Sequence, residues 1–566
     1  MSEAVALLEQ GRARTSAAFS WLERVRPARA LPVLIIAQWL GVLGLALSAR
    51  HAGWTWYQGG DQLWYYTTGW LFAHGHVGYA GVGYLWPILL APIARVAGTN
   101  VQNAYPAIVL LDVLVLLPVA TLSFYGMARR IAGRAFGYWA TALWVAMPFL
   151  GILWANVGYH QRYTELFLPQ ALGLTGLADF PTLVAVLVAA HFTIRIVLDR
   201  HPSGLHALSA GLAAGAAIAI KPSAALFLAG PALALFDARR LRPALLFAAG
   251  MAPAALTLVL WKVRTVGHLP VASPYDTARL AVGSLALPLG LDFHRYLNFD
   301  WSHLDQELTN LRSYFWSQRL IEWAPLAGMI ALFRRAPTAA VLAGGWLGAF
   351  VIVKGTQDSA SLQDTSLLRI LIPAFPAFVL LVAALPLLLP RLPRHLPAPD
   401  DRVPGPPRRA GVVALVAGVL LTAALPFGAI AALPLNRGID TPRVAATSFT
   451  NGPVPAQIDV GLKVHVNPGG SVTVTWNNQH AAGGPLFYHV FRGPASFHDY
   501  SCPDTAGAVQ CYLSMLDVGA VRDPHFKDFP PAGRWSYRIG VSANWLDNLQ
   551  YGDVYELSSP AVAGVR

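Results

Sequence analysis

Apolar residues in this chain come in long unbroken runs, not at the three- and four-residue spacing of a helix with one face in water. About 11 such runs can be marked, at 30–47, 106–127, 138–154, 180–198, 207–220, 223–236, 244–261, a stretch ending at Arg334-Arg335, 338–353, 369–390 and 411–433. Most approach the ~20 residues that a helix needs to cross a bilayer. The runs at 207–220 and 223–236 are too short for that and read as a buried helical hairpin, whose Gly/Ala faces permit close packing. Beyond residue 435 the pattern changes to strict alternation: Ser471-Val472-Thr473-Val474-Thr475-Trp476, Phe487-Tyr488-His489-Val490-Phe491 and Trp535-Ser536-Tyr537-Arg538-Ile539-Gly540-Val541. That is the two-residue period of half-buried strands. Turn-rich stretches such as Ala482-Gly483-Gly484-Pro485 separate them. The expected fold is a polytopic α-helical membrane protein of about 11 transmembrane helices with a C-terminal all-β sandwich.

Composition agrees. Of 566 residues 55% are hydrophobic and only 12% charged, against about 25% charged in a soluble domain; the mean hydropathy is +0.46. The net charge of +12 would suit nucleic acid, but its placement speaks for lipid. Arginines cluster in short turns after alternate runs (Arg129, Arg130 and Arg134; Arg195 and Arg200; Arg239, Arg240 and Arg242; Arg334 and Arg335), as cytoplasmic loops require. Residues 1–29 then form a cytoplasmic lead-in. No small-residue cleavage site follows the first run, so that run is expected to be retained as a helix. Loops 48–105, 155–178 and 262–323, together with the C-terminal region 435–566, fall on the outer face of a cytoplasmic membrane. The many tryptophans and tyrosines of 48–105 suggest helices lying in the interface plane, and the last outer loop has an amphipathic stretch around 301–316. Cys502 and Cys511, the only cysteines, suit a short disulfide-closed loop in that compartment; the alternative is two unrelated thiols.

Most of the candidate chemistry lies in or beside the outer loops. Asp61 stands in an aromatic run beside Tyr65 and Tyr66; on residues alone it is either a reactive carboxylate or a loop residue capping a helix that begins at Gln62. Asp179 precedes Pro181, which equally suits an N-cap. His160, Arg162 and Glu165 lie in the loop before it. Lys221 follows a small-residue run and precedes Pro222; it reads as a snorkelling lysine or as a point charge for a phosphate. Arg369 is an outer-face arginine, against the usual bias, and so calls for a partner. Asp112 lies inside an apolar run, where an ionisable group usually faces a cavity or a partner. His74 and His76 lack a third partner at metal-ligand spacing, and no phosphate-cradling Gly-rich loop followed by Lys-Ser/Thr is present, which argues against a nucleotide-driven pump.

The pattern Asp61…Tyr65…Gly75…Tyr84…Pro87 between the first two runs resembles the first outer loop of GT-C glycosyltransferases, the polytopic enzymes that use polyprenyl-phosphate sugars and include protein mannosyltransferases and aminoarabinose transferases. The resemblance extends to an acidic residue where an outer loop meets the fourth run (Asp179), to the small-residue run ending in Lys221-Pro222, and to Arg369 followed by Pro373. It implies Asp61 as general base with Asp179 as a second catalytic acid, Lys221, Arg369 and, more weakly, Arg162 on the donor phosphate, and Tyr65, Tyr66, His160 and Glu165 around the pocket. The family often has an acidic pair where this chain has Asp61-Gln62. The strands after 435 resemble fibronectin type III modules.

The resulting expectation is an inverting transfer of a hexosyl or pentosyl group from a polyprenyl-phosphate donor to an extracytoplasmic glycan, lipid or protein acceptor. No tightly bound cofactor is implied; relatives differ in their use of a divalent cation. Nucleic acid is not an expected partner. A lipid-linked glycan flippase is the alternative reading of the same spans and cations, although no paired repeat is visible.

Overall fold

The computed structural model describes residues 21–48, 61–78, 83–98, 103–266, 299–315, 318–357, 360–363, 365–388, 409–434, 456–477, 487–495, 516–521, 523–530, 533–542 and 554–565. Its helices are, in chain order, α1 (Pro27–Ser48), α2 (Asp61–Ala73), α3 (Leu85–Ala97), α4 (Tyr105–Trp154), α5 (Val157–Gln161), α6 (Asp179–Leu198), α7 (Gly204–Ile220), α8 (Pro222–Asp237), α9 (Leu241–Val266), α10 (Trp301–Tyr314), α11 (Gln318–Arg335), α12 (Pro337–Gly355), α13 (Ser366–Leu388) and α14 (Arg409–Ala432). Among the described residues seven of them, α1, α4, α6, α9, α12, α13 and α14, are long and apolar enough to cross a membrane. The chain is thus mostly helical with a C-terminal β region, and divides into two compact units. The first comprises 1–54, 109–258 and 296–427, the second 55–108, 259–295 and 428–566.

Seven helices fall short of the expected count of about 11, and the reasons are physical. The 50 residues of α4 contain two of the expected runs. Ala132 and Gly133 leave helical geometry between them, Gly133 at φ 88°, a value that glycine adopts without strain. The two limbs then pack back on each other: Phe124 stacks on Trp144 and Tyr125 on Tyr138, each with ring centroids 5.2 Å apart. The short helices α7 and α8 are broken apart at Lys221, and they pack on different neighbours, α7 on α6 and the second half of α8 on α12. In α11 Arg319, Glu322, Arg334 and Arg335 share 18 residues and lower its hydropathy.

In the first unit small residues let backbones touch. A Cβ on Gly211 would lie 1.9 Å from the Phe247 carbonyl oxygen and one on Gly250 2.3 Å from that of Leu208, so α7 and α9 pack backbone to backbone. Two polar contacts cross between helices here. Thr121 donates to Gln38 at 2.6 Å and the Trp39 indole to the Val113 carbonyl at 2.8 Å, joining α1 to α4. Leu40, Leu43, Leu122, Val413 and Leu421 are exposed on the outside of these helices, a disposition that suits lipid and not water. Three arginine-bearing turns meet at the end of α6. Arg130 Nε donates to Asp199 Oδ1 at 2.7 Å and Arg240 Nη2 to the Asp199 carbonyl at 2.8 Å.

The second unit contains α2, α3 and the β region. Around α2 and α3 the aromatic residues Tyr65, Tyr66, Trp70, Tyr84 and Trp86 are all buried. Gly69 permits a close approach of the two helices, since a Cβ there would lie 2.6 Å from the Pro87 carbonyl oxygen. The two helices approach closely enough to enclose their own aromatics. Phe72 also stacks on Trp261 at 5.5 Å.

The strands are β1 (Ala456–Ile458), β2 (Lys463–Val466), β3 (Val472–Thr475), β4 (Phe487–Pro494), β5 (Leu516–Val521), β6 (His525–Asp528), β7 (Gly533–Ser542), β8 (Val554–Ser558) and β9 (Ala561–Val565). One sheet runs β1-β8-β7-β4-β5, with β9 on the first half of β7, and the other runs β2-β3-β6. Their facing side chains, among them Val472, Val474 and Phe526 from one and Tyr488, Val490, Ile539 and Val541 from the other, make a single core, as alternation demands. Cys502 and Cys511 lie outside the described residues, as does the turn Ala482–Pro485 (482–485).

A polar lock closes this core. Buried Asp528 on β6 accepts from Arg492 of β4 at 2.6 Å and from the Tyr537 hydroxyl of β7 at 2.7 Å, while its other oxygen takes the Phe529 amide at 2.9 Å. The Arg492 guanidinium also sits 4.9 Å over the Trp535 ring. Replacing Asp528 by alanine strands a buried guanidinium and a buried phenol, and should cost about 3–5 kcal/mol. We expect a lower melting temperature for the purified full chain and earlier tryptic cleavage beyond residue 456.

Candidate functional site

In the first unit the fold assembles three residues that lie far apart in sequence. Asp179 is the first residue of α6 and is fully buried. Ala178, not Asp179, stands at the N-cap, so the carboxylate is not used on its own helix. Lys221 is held in an extended conformation, φ −140° and ψ 109°, between α7 and α8, as expected for a residue preceding proline. That break in the helix turns the side chain onto Asp179: the ammonium donates to Oδ1. Arg369 lies in the first turn of α13, after Thr365 at φ 68°, and its Nε donates to Asp179 Oδ2 at 3.2 Å.

The electrostatics follow. A carboxylate taken fully out of water costs several kcal/mol unless its oxygens are paired, and here each oxygen faces its own cation. The Lys221 and Arg369 side chains keep 18% and 21% exposure. The cluster carries a net charge of +1 and presents two kinds of N–H donor. A guanidinium beside an ammonium suits a phosphate group, which accepts from both.

The other candidates have different surroundings. Arg162 is exposed and donates to the Gln363 carbonyl at 2.8 Å. His160 hydrogen-bonds the Ile152 carbonyl. Glu165 lies half-buried in the turn Arg162–Phe167. Within that turn Tyr163 is buried and donates to the Pro148 carbonyl at 2.9 Å; burial pushes its phenol well above the usual range. Asp112 is fully buried in a π-helical turn against Gly173, and neither oxygen has a hydrogen-bond partner among the described residues. His74 stacks on Trp70 at 4.0 Å and bonds its carbonyl. No cluster of three or more metal-ligating side chains occurs among the described residues.

Asp61 belongs to the second unit. It is partly exposed and begins α2. Tyr65 and Tyr66, one turn on, are buried, and the Tyr66 hydroxyl donates to the Gly98 carbonyl at 2.7 Å.

Sequence reasoning missed Glu307. It lies on α10 in register with Leu304 and Leu311, the apolar face of that amphipathic helix, and is 3% exposed. A carboxylate at a core position of an amphipathic repeat was the available signal.

No family model and no curated protein matches the chain. Among solved structures, the oligosaccharyltransferase of Archaeoglobus fulgidus, solved with a tethered acceptor peptide containing the NVT sequon, is similar at a TM-score of 0.38 and 14% identity, over 73% of this chain and 56% of that one. This chain therefore matches just over half of that protein's length. At that level the site has to be judged on its own side chains.

Two outcomes test this geometry. Asp179→Ala leaves two cations facing each other in a buried site and should cost about 3–5 kcal/mol; a melting curve of the purified chain reads this directly. The Tyr66 phenol is pushed up to about 12 by burial, so the folded state holds its proton more tightly than the unfolded chain. Its contribution is fully present below pH ~10 and is lost as pH rises toward 12. Tyr66→Phe should flatten stability loss across that window, and at neutral pH should cost about 1 kcal/mol for the lost hydrogen bond.

Proposed function

We propose that this chain is a membrane-embedded inverting glycosyltransferase that takes a sugar from a polyprenyl-phosphate donor at the extracytoplasmic face. The observation that carries the reading is the buried Asp179 carboxylate with Lys221 on one oxygen and Arg369 on the other. Donor phosphate would be bound by the two cations, while Asp179 acts as a positioning residue that holds them side by side. Both of its oxygens are engaged, which leaves it poorly suited to take a proton from an acceptor.

That role falls to Asp61. In the proposed step Asp61 accepts the proton of an acceptor hydroxyl as that oxygen attacks the anomeric carbon. The bond from that carbon to the phosphate oxygen breaks on the opposite face, and its electron pair leaves with polyprenyl phosphate. Lys221 and Arg369 stabilise the growing negative charge there. The β region, with its three-stranded β2-β3-β6 sheet facing a larger one, fits a fibronectin type III-like module that helps to hold the acceptor.

The test is transfer by the purified full chain from labelled polyprenyl-phosphate sugars. Asp61→Asn should lower turnover about 10²–10⁴-fold with little change in donor KM. Lys221→Met and Arg369→Met should raise donor KM. Unchanged turnover in Asp61→Asn removes the base assignment, and lipid translocation in liposomes without transfer favours a flippase.

A further inference from the structure

The loop that delivers Arg369 is held by side chains from two other segments. The His303 ring bonds the Ala360 carbonyl at 2.8 Å, Tyr159 donates to the Leu362 carbonyl at 2.7 Å, and Arg162 donates to the Gln363 carbonyl at 2.8 Å. All three hold carbonyls. The amide of Leu362 is held by a buried carboxylate: it donates to Glu307 at 2.6 Å, and Asn310 donates to the other Glu307 oxygen at 3.1 Å.

From this contact a continuous run of hydrogen bonds leads to the phosphate cluster. The Leu362 carbonyl accepts from the Thr365 amide at 3.2 Å, and the Thr365 carbonyl from the Arg369 amide at 3.0 Å. Arg369 Nε then reaches Asp179 at 3.2 Å, and Asp179 takes Lys221 on its other oxygen. Thr365 is buried at φ 68°. A threonine rarely adopts this left-handed backbone unless its surroundings impose it. The Ser366 hydroxyl supplies a cross-brace, taking the Ser361 amide at 2.8 Å and donating to its carbonyl at 3.2 Å.

We infer that Glu307 is the positioning residue of the phosphate site: through Leu362 and Thr365 it fixes the start of α13, and so sets where the Arg369 guanidinium stands beside Lys221. This rests on the reading of the Lys221–Asp179–Arg369 cluster as a phosphate site. The negative charge of Glu307 matters because an ionised acceptor holds an amide more strongly than a neutral one does. Glutamine in its place also turns one of two acceptor atoms into a donor, so it can satisfy either Leu362 or Asn310 but not both.

The test uses the purified full chain and farnesyl phosphate as the probe. Glu307→Gln should weaken its binding about tenfold and speed hydrogen exchange at the Leu362 and Thr365 amides. In an Arg369→Gln background the same change should have almost no further effect on binding, because the route traced from Glu307 to the phosphate among the described residues runs through Arg369. A structural contribution alone would persist in that background. Equal affinity of wild type and Glu307→Gln, or full additivity with Arg369→Gln, overturns the inference while leaving the phosphate site standing. No binding of farnesyl phosphate by wild type overturns the phosphate reading itself, and the positioning role with it. Should Glu307→Gln fold poorly, Asn310→Leu serves as the milder variant: it removes the Asn310 contact and leaves those of Leu362 and Ser361 to Glu307, and an increase in Leu362 exchange is again required.

Discussion

One constraint organises the helical unit: the carboxylate of Asp179 is fully buried and has to be neutralised. An ion of that size in an apolar interior costs several kcal/mol unless its oxygens are paired. Two cations offset that cost, and each has to be brought from elsewhere in the chain. Lys221 arrives because Pro222 holds the chain extended between two helices too short to cross a bilayer. Arg369 arrives because a left-handed Thr365 turns the chain into α13. The break in one helix pair and the left-handed entry to another helix are thus what bring two cations to a single buried charge.

Close packing makes that convergence possible. Where α7 meets α9, glycines bring backbones together at distances that no Cβ would permit. Such contact replaces the hydrophobic driving force that lipid-facing helices lack. The sandwich solves the same problem differently. Its polar centre, Asp528 with Arg492 and Tyr537, ties strands of both sheets through charge-assisted bonds in an otherwise apolar core. In each unit a buried acid with a basic partner fixes which elements stand beside it.

Much of this was legible before any coordinates. Long apolar runs announced the spanning helices and alternation announced the strands, because burial in lipid and burial of one sheet face leave different periods in sequence. Asp179, Lys221 and Arg369 were each recognisable as unusual at their positions. The burial of the aromatics around Asp61 was not legible in the sequence. Tyr65 and Tyr66 look amphipathic along the chain, and only the fold shows that both are buried where α2 and α3 approach at Gly69. Glu307 was legible only as an acid on the apolar face of its helix; that its partner is a backbone amide 55 residues away left no trace in the sequence.

By itself the sequence determined the class of environment each segment occupies, because hydropathy and period are local properties of consecutive residues. It also determined which charges were expensive and therefore in need of partners. Only the tertiary structure decided who those partners are. Pairing depends on which helix ends meet, and that is set by backbone contacts at glycines and by the reversals at Gly133, Lys221 and Thr365. Separations such as the 190 residues between Asp179 and Arg369 carry no local signal, since contact across them arises from packing and not from period.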